Sequence, residues 1–205
     1  MAGKSDALYL AHLSKDKKLQ PALKNGAMPL KKKKNICIQL CASIMSQQLS
    51  TKVAKVIYNR FLDLYKGGEP TPQQILDTPF DTLRGIGLSN AKTNYVRNVA
   101  QYAVDYGMED KKLFKMSNEE VMEYLLPIKG VGKWTVEMLL MFALERPDVF
   151  PVDDLGIQNA MKRQYGLEES GKRLKLRMQD IAENWRPYRT IASKYLWQSL
   201  DNMPK

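Results

Sequence analysis

Apolar residues recur at spacings of three and four along almost the whole chain. "ALYLAHL" (7–13), "NICIQLCASIMSQQL" (35–49), "KVAKVIYNRFLDLY" (52–65) and "NYVRNVAQYAVDY" (94–106) each set their apolar side chains on one helical face. No run alternates polar and apolar residues as a strand would. Helix starts are marked as well. Thr71-Pro72 with Gln74, Thr78-Pro79 with Asp81, and Ser117 with Glu120 each place a capping side chain before a helix. The pattern predicts an all-α fold of about ten short helices. "YKGGEPTP" (65–72) and "ERPDVFPVDD" (145–154) read as loops, too short to link independent domains, so any lobes they join must pack closely.

Of the 205 residues, 32 are Lys or Arg and 22 are Asp or Glu, a formal net charge of +10. That balance points to a polyanionic partner, with nucleic acid leading, although soluble proteins that bind no nucleic acid can also be basic. "KKKK" (31–34) reads as the solvated entry to a helix at Asn35, with a nuclear address or a phosphate contact as alternatives. Cys37 and Cys41, four apart on an apolar face, read as reduced core thiols. With the lone His12 they are too few to ligate zinc or an iron-sulfur cluster. His12 itself sits in a helical pattern and reads as a packing or hydrogen-bonding residue. No segment approaches the roughly 20 apolar residues of a membrane span. The first residues carry no signal-peptide pattern, so the expectation is a soluble intracellular protein, in the nucleoid of a bacterium or the nucleus of a eukaryote.

Two segments match each other. "LRGIGLSNAK" (83–92) and "IKGVGKWTVE" (128–137) both read apolar, basic, Gly, β-branched, Gly, then a helix. A glycine turn opening a helix suits phosphate, because the backbone N–H groups converge and the helix end adds partial positive charge. Neither turn has a Gly-Lys-Ser/Thr ending or a preceding strand, which argues against a mononucleotide loop or a dinucleotide fingerprint. The 85–87 turn reads equally well as a tight hairpin whose glycines allow positive φ and close packing. The 130–132 turn has more around it: Lys129 and Lys133 flank it, Thr135 follows, and Asp153-Asp154 lie about 20 residues downstream.

That ensemble, "LLPIKGVGKWTVEMLLMFALERPDVFPVDDLGI", resembles the helix-hairpin-helix superfamily of DNA glycosylases, and within it the DNA-3-methyladenine glycosylase II branch. "AHLSKDKKLQPAL" (11–23) is similar to the first helix of that branch and "SIMSQQLSTKVA" (43–54) to its Gln-Gln-Leu-Ser motif. "LRGIGLSNAKTNYV" (83–96) is similar to its Gly-Leu-Ser-x-x-Lys segment and "NWRPYRTIASKYLW" (184–197) to its closing helix. The resemblance implies a two-lobed all-α fold with a DNA-binding cleft between lobes. One lobe would be 1–34 with 127–205, carrying the hairpin, and the other a central lobe, 35–126.

A base alkylated at a ring nitrogen is already cationic and leaves without protonation, so one carboxylate can suffice to steady the cationic sugar and guide water. Asp154 matches the family's catalytic aspartate, while Asp153, the alternative for that role, is better placed to cap the following helix. Trp134 occupies the position where strand-cutting members carry a Schiff-base lysine, and Lys133 would point about 100° away around the helix. A monofunctional enzyme is the expectation. Trp134, Met138, Trp197 and Gln198 are expected to line the base pocket. Met138 stands where some members carry tyrosine. Gln48, beside Gln47, aligns with the side chain that fills the gap left by a flipped nucleotide.

Lys129, Gly130, Val131, Gly132, Lys133 and Thr135 are the expected contacts to a DNA phosphate. The resemblance further implies a monovalent cation, Na or K, on the carbonyls of Leu126, Ile128 and Val131, although Lys129 replaces the usual hairpin proline; no other cofactor is required. Lys162, Arg163, Lys172, Arg173, Lys175 and Arg177 would add nonspecific charge, and Arg189 would hold local structure. The function so implied is excision of cationic purines such as 3-methyladenine and 7-methylguanine from duplex DNA by a monomer, beginning base-excision repair. Two alternatives stand beside it: a noncatalytic helix-hairpin-helix DNA-binding module, and a bifunctional glycosylase/lyase for oxidised bases.

Overall fold

A computed structural model describes residues 4–25 and 32–201, and among them it contains helices and no strand. The helices are α1 (Lys4–Leu13), a 3-10 helix (Gln20–Asn25), α2 (Ile36–Ser46), α3 (Thr51–Asp63), α4 (Pro72–Asp77), α5 (Phe80–Gly85) and α6 (Asn90–Tyr106). There follow α7 (Asp110–Lys115), α8 (Asn118–Leu125), α9 (Lys133–Phe142), α10 (Leu155–Tyr165), α11 (Gly171–Glu183) and α12 (Arg189–Asp201). Lys31, the first of the lysine run, lies outside the described residues.

Two of the expected caps form in full. Thr71 with Gln74 and Ser117 with Glu120 each make a reciprocal capping box. The third does not. Pro79 occupies the cap position of α5, and the Thr78 hydroxyl turns back to donate to the Gln74 carbonyl at 2.7 Å. Only Thr78 and Pro79 separate α4 from α5, and Thr78 serves the helix that ends rather than the one that begins. The apolar run 35–49 likewise stops being helical at Ser46, because Gln48 takes a left-handed conformation with φ of 58°.

The described residues form two compact units. One comprises residues 32–144 and the other the described residues up to 25 and from 145 onward. The hairpin and α9 therefore belong with the central helices, not with the terminal segments as a boundary at 126/127 would have it. The cause is packing: Val136, Leu139 and Leu140 are buried, α9 packs on α2 and α8, and the Lys33 N–H donates to the Ala143 carbonyl at 3.0 Å. In this unit α2 is the central rod, packed by α3, α6 and α9, with Ile36, Ile38, Leu40 and Ile44 fully buried. Burying each such side chain stabilises the fold by about 1.5–3 kcal/mol. Cys37 and Cys41 lie on the same rod, buried and reduced. The hydrogen bond from Cys37 and burial hold the Cys41 thiol well above the ordinary cysteine range.

In the other unit α10 packs on α11 and α12 around Trp185 and Tyr195, both fully buried. Asp16 organises this core. Its Oδ2 accepts from the Tyr165 hydroxyl at 2.6 Å and the Trp185 indole at 2.9 Å, and its Oδ1 from the backbone of Lys18 and Leu19. His12 has the structural part expected of it. Its Nε2 donates to the Asn184 carbonyl at 3.1 Å and its ring meets the edge of Tyr188.

Candidate functional site

The two glycine turns, alike in sequence, are built differently. At 85–87 the chain turns at Gly87, φ 111°, and the helix that follows is closed by its own Ser89, whose hydroxyl accepts from the Lys92 N–H at 3.2 Å. At 130–132 the turn is made at Gly130, φ 102°, and α9 begins from Gly132, which brings no capping side chain. A Cβ on Gly130 would run into the Tyr95 ring, whereas one on Gly132 would meet nothing within 4 Å. Gly130 thus serves packing. Gly132 leaves the start of α9 uncovered by side chain, the arrangement that lets an anion approach backbone amides.

The side chains around this turn sort themselves. Lys129 and Gly132 are exposed, and the Lys129 carbonyl accepts from Asn98 Nδ2 at 3.0 Å. Lys133 lies 3.7 Å from the buried carboxylate of Glu137, one turn on. Thr135, read in the sequence as a phosphate contact, is buried, and its hydroxyl accepts from Gln47 Nε2 at 3.0 Å. Gln47 and Thr135 therefore bind each other. Of the two adjacent glutamines Gln48 is the one that is exposed. Of the carbonyls considered for a cation, that of Ile128 accepts the Val131 N–H at 2.9 Å, closing the turn and leaving one lone pair for a further ligand. Among the described residues no cluster of three or more His, Cys, Asp or Glu side chains is placed to hold a metal.

Trp134 and Met138 line one recess of about 280 Å³ between α2 and α9, in the 32–144 unit. Lys33, Gln39, Ser43, Ser46 and Phe142 also line it, with Ala42, Leu139 and Ala143. Gln39, Ser43 and Ser46 were not singled out in the sequence, yet their spacing of four and three makes a polar stripe on an otherwise apolar helix, a readable signal.

The remaining expected residues lie in the unit that holds 145 onward. Here Asp154 itself caps α10: its Oδ1 accepts from the Ile157 N–H at 2.8 Å, and the Trp197 indole N–H donates to the same oxygen at 2.8 Å. Asp153, expected to be the cap, instead pairs with Lys175 at 2.7 Å. The next residue but one matters as well. A Cβ on Gly156 would stand 3.0 Å from both Asp154 Oδ1 and the Trp197 indole. Nothing in a lone Asp-Leu-Gly string announces that role. Gln198 follows Trp197 on α12, and its Oε1 is buried without a hydrogen-bond partner.

The loop that delivers Asp154 is fastened by the start of the same helix. Arg189 grips Asp148 through Nε–Oδ1 at 2.7 Å and Nη2–Oδ2 at 3.0 Å. The Thr190 hydroxyl donates to the Arg146 carbonyl at 2.6 Å and accepts from the Val149 N–H at 2.9 Å. Gln158 Nε2 donates to the Val152 carbonyl at 2.9 Å. One helix, α12, thereby sets both the path of the loop and the orientation of the carboxylate.

Comparison with known proteins finds consistent relatives. The model of the HhH-GPD superfamily of base excision DNA repair proteins matches residues 41–187. The chain is similar to DNA-3-methyladenine glycosylase 1 of Schizosaccharomyces pombe, 38% identical over 163 residues that cover 78% of this chain and 71% of the other. It is also similar to the alkylbase DNA glycosidase-like protein mag2 of the same yeast, 39% identical over 159 residues, 76% of this chain and 74% of that one. Among solved structures, Schizosaccharomyces pombe 3-methyladenine DNA glycosylase in complex with abasic DNA superposes with a TM-score of 0.87 at 34% identity, covering 97% of this chain and 100% of that one.

Proposed function

The chain belongs to the HhH-GPD superfamily of base excision DNA repair proteins, and on that premise we propose that it is a monofunctional DNA glycosylase. It excises alkylated, cationic purines such as 3-methyladenine and 7-methylguanine from duplex DNA. The observation that carries the reading is Asp154. A half-buried carboxylate at the head of α10 has one oxygen held by a backbone amide and an indole, which fixes the orientation of its second oxygen. Such a group can stabilise the positive charge that develops on the sugar as the C1′–N bond stretches, and can guide water to it.

The recess beside Trp134 and Met138 accepts the flipped base. Trp134 offers a ring face worth about 0.5–2 kcal/mol toward a cation. Gln48 fills the gap in the duplex, and the uncapped start of α9 receives a phosphate of the lesion strand. The carbonyls of Leu126, Ile128 and Val131 are the set that would hold Na or K against the hairpin, where the ion would add positive charge beside the phosphate. Strand cleavage would need a lysine nucleophile at position 134, and tryptophan supplies none.

The test is release of free base from methylated duplex DNA by the wild type and by Asp154→Asn. The wild type is expected to release 3-methyladenine and 7-methylguanine, the variant neither, and borohydride is expected to trap no covalent adduct. Damage-independent binding without release by the wild type would make the chain a binding module. A trapped adduct would make it a lyase.

A further inference from the structure

We propose that Lys92 is a positioning residue for the loop that carries Gln48. The proposal rests on the reading of Gln48 as the side chain that replaces the flipped nucleotide, and it gives a purpose to the 83–92 segment, which the phosphate-binding hairpin does not use.

Lys92 stands in the first turn of α6, next to the Ser89 cap. Its ammonium donates to the Met45 carbonyl at 3.0 Å and the Gln47 carbonyl at 2.6 Å. Both oxygens lie at the C-terminal end of α2, where helix carbonyls lack partners and partial negative charge accumulates, so a cation is the fitting cap. Burial pushes the Lys92 pKa down, as for an ammonium that has given up water for these oxygens.

The Gln47 carbonyl belongs to the peptide plane on the N-terminal side of Gln48. The plane on its C-terminal side is fixed by the Leu49 N–H, which donates to the Ser46 carbonyl at 3.1 Å. The φ and ψ angles at one Cα together set the relation between two such planes. Gln48 holds φ of 58°, a left-handed value that a glutamine adopts only where its surroundings impose it. With both flanking planes tied down, the exposed Gln48 side chain leaves the backbone in one direction. The Gln47 side chain, bonded to Thr135 on α9, anchors the loop from the other side.

The same side of α6 also supports the hairpin. Tyr95 packs under Gly130, and Asn98 Nδ2 donates to the Lys129 carbonyl. Residues 92, 95 and 98 follow one another at helical spacing, so α6 fixes the register between the Gln48 loop and the phosphate-binding turn. Losing Lys92 frees the first while leaving the second in place.

The experiment is a double-mutant cycle in the full chain. It combines Lys92→Met and Gln48→Ala and is read as single-turnover release of 7-methylguanine from duplexes that pair it with cytosine. Lys92→Met is expected to slow release roughly tenfold or more, since small misplacements of an aligned group are costly. In the Gln48→Ala background the same change should cost less than about twofold, because coupled residues are non-additive. A second duplex, with the lesion opposite a mismatched thymine, has less pairing to break, so the Lys92→Met loss should shrink there. An undiminished rate, or an equal loss in both backgrounds and on both duplexes, overturns the proposal. If Lys92→Met fails to fold, Lys92→Ala, which removes the donor and adds no bulk, carries the same comparison. A wild type that releases no base from either duplex overturns the glycosylase reading itself, and the proposal with it. Normal release by the wild type and by Lys92→Met overturns the proposal alone.

Discussion

Trp197 donates its indole N–H to Oδ1 of Asp154 at 2.8 Å, from a helix whose first residues also fasten the loop that ends at Asp154. An aromatic residue read in the sequence as a pocket wall is here a hydrogen-bond donor to the carboxylate. Trp197→Phe keeps most of the ring and removes the N–H. Single-turnover base release is expected to fall roughly tenfold or more, with affinity for abasic-site DNA within about twofold of wild type. A parallel loss of rate and affinity would mean that the ring, not the N–H, is what matters.

Gly156 gives the same relationship a second test. A Cβ at 156 would press at 3.0 Å on both Asp154 Oδ1 and the indole, so one of them must move. Gly156→Ala should therefore depress base release while leaving the chain folded, and Trp197→Phe combined with it should cost less than the sum of the two. Strict additivity in that pair would show that the glycine acts elsewhere.

The hairpin glycines separate by mechanism. Gly130→Ala combines a positive φ with a collision against Tyr95, and its expected destabilisation is about 1–3 kcal/mol in urea unfolding. Gly132→Ala meets no atom and should unfold within about 0.5 kcal/mol of wild type, yet bind duplex DNA more weakly. Equal stability for both variants would contradict the packing role given to Gly130.

Arg189 and Asp148 form a two-point ion pair with side chains 15% and 21% exposed, and Arg186 Nη1 also reaches Asp148 Oδ2 at 2.8 Å, so removing Arg189 takes from Asp148 its bidentate partner and leaves it one arginine. Arg189→Met should cost about 1–3 kcal/mol of stability. It should also slow base release, because the loop it holds leads directly to Asp154. Retained stability and rate would reduce the pair to a surface contact.

Tyr165 predicts a pH dependence. Burial and the Asp16 carboxylate that accepts its hydrogen bond hold its pKa well above the ordinary tyrosine value. An acid whose folded pKa is raised stabilises the fold fully below its unfolded pKa, here about 10, and loses that contribution as pH climbs past it. The urea midpoint of the wild type should fall between about pH 9.5 and 11. Tyr165→Phe should start lower at pH 8, lacking the hydrogen bond, and decline less steeply. Parallel curves would remove Tyr165 from the alkaline transition.

Local signals in the chain determined what local physics controls. The spacing of apolar residues settled an all-helical fold, Thr71 with Gln74 and Ser117 with Glu120 marked two helix starts, and the glycines, lysines and tryptophan of 127–136 marked the hairpin. Those features depend on residues within a turn or two of each other, so a one-dimensional reading reaches them.

The tertiary structure decided the rest, because the deciding partners lie far apart in the chain. Thr135 turned inward because Gln47, 88 residues earlier, meets it. Asp154 rather than Asp153 became the cap of α10, with Trp197 on the same oxygen from 43 residues away and Lys175 taking the other aspartate. Two turns of the same Gly-x-Gly pattern acquired different purposes: one helix start is covered by Ser89 and the other is left open. A hydrogen bond needs its donor and acceptor within about 3 Å, and only the folded chain brings residues of such separation that close.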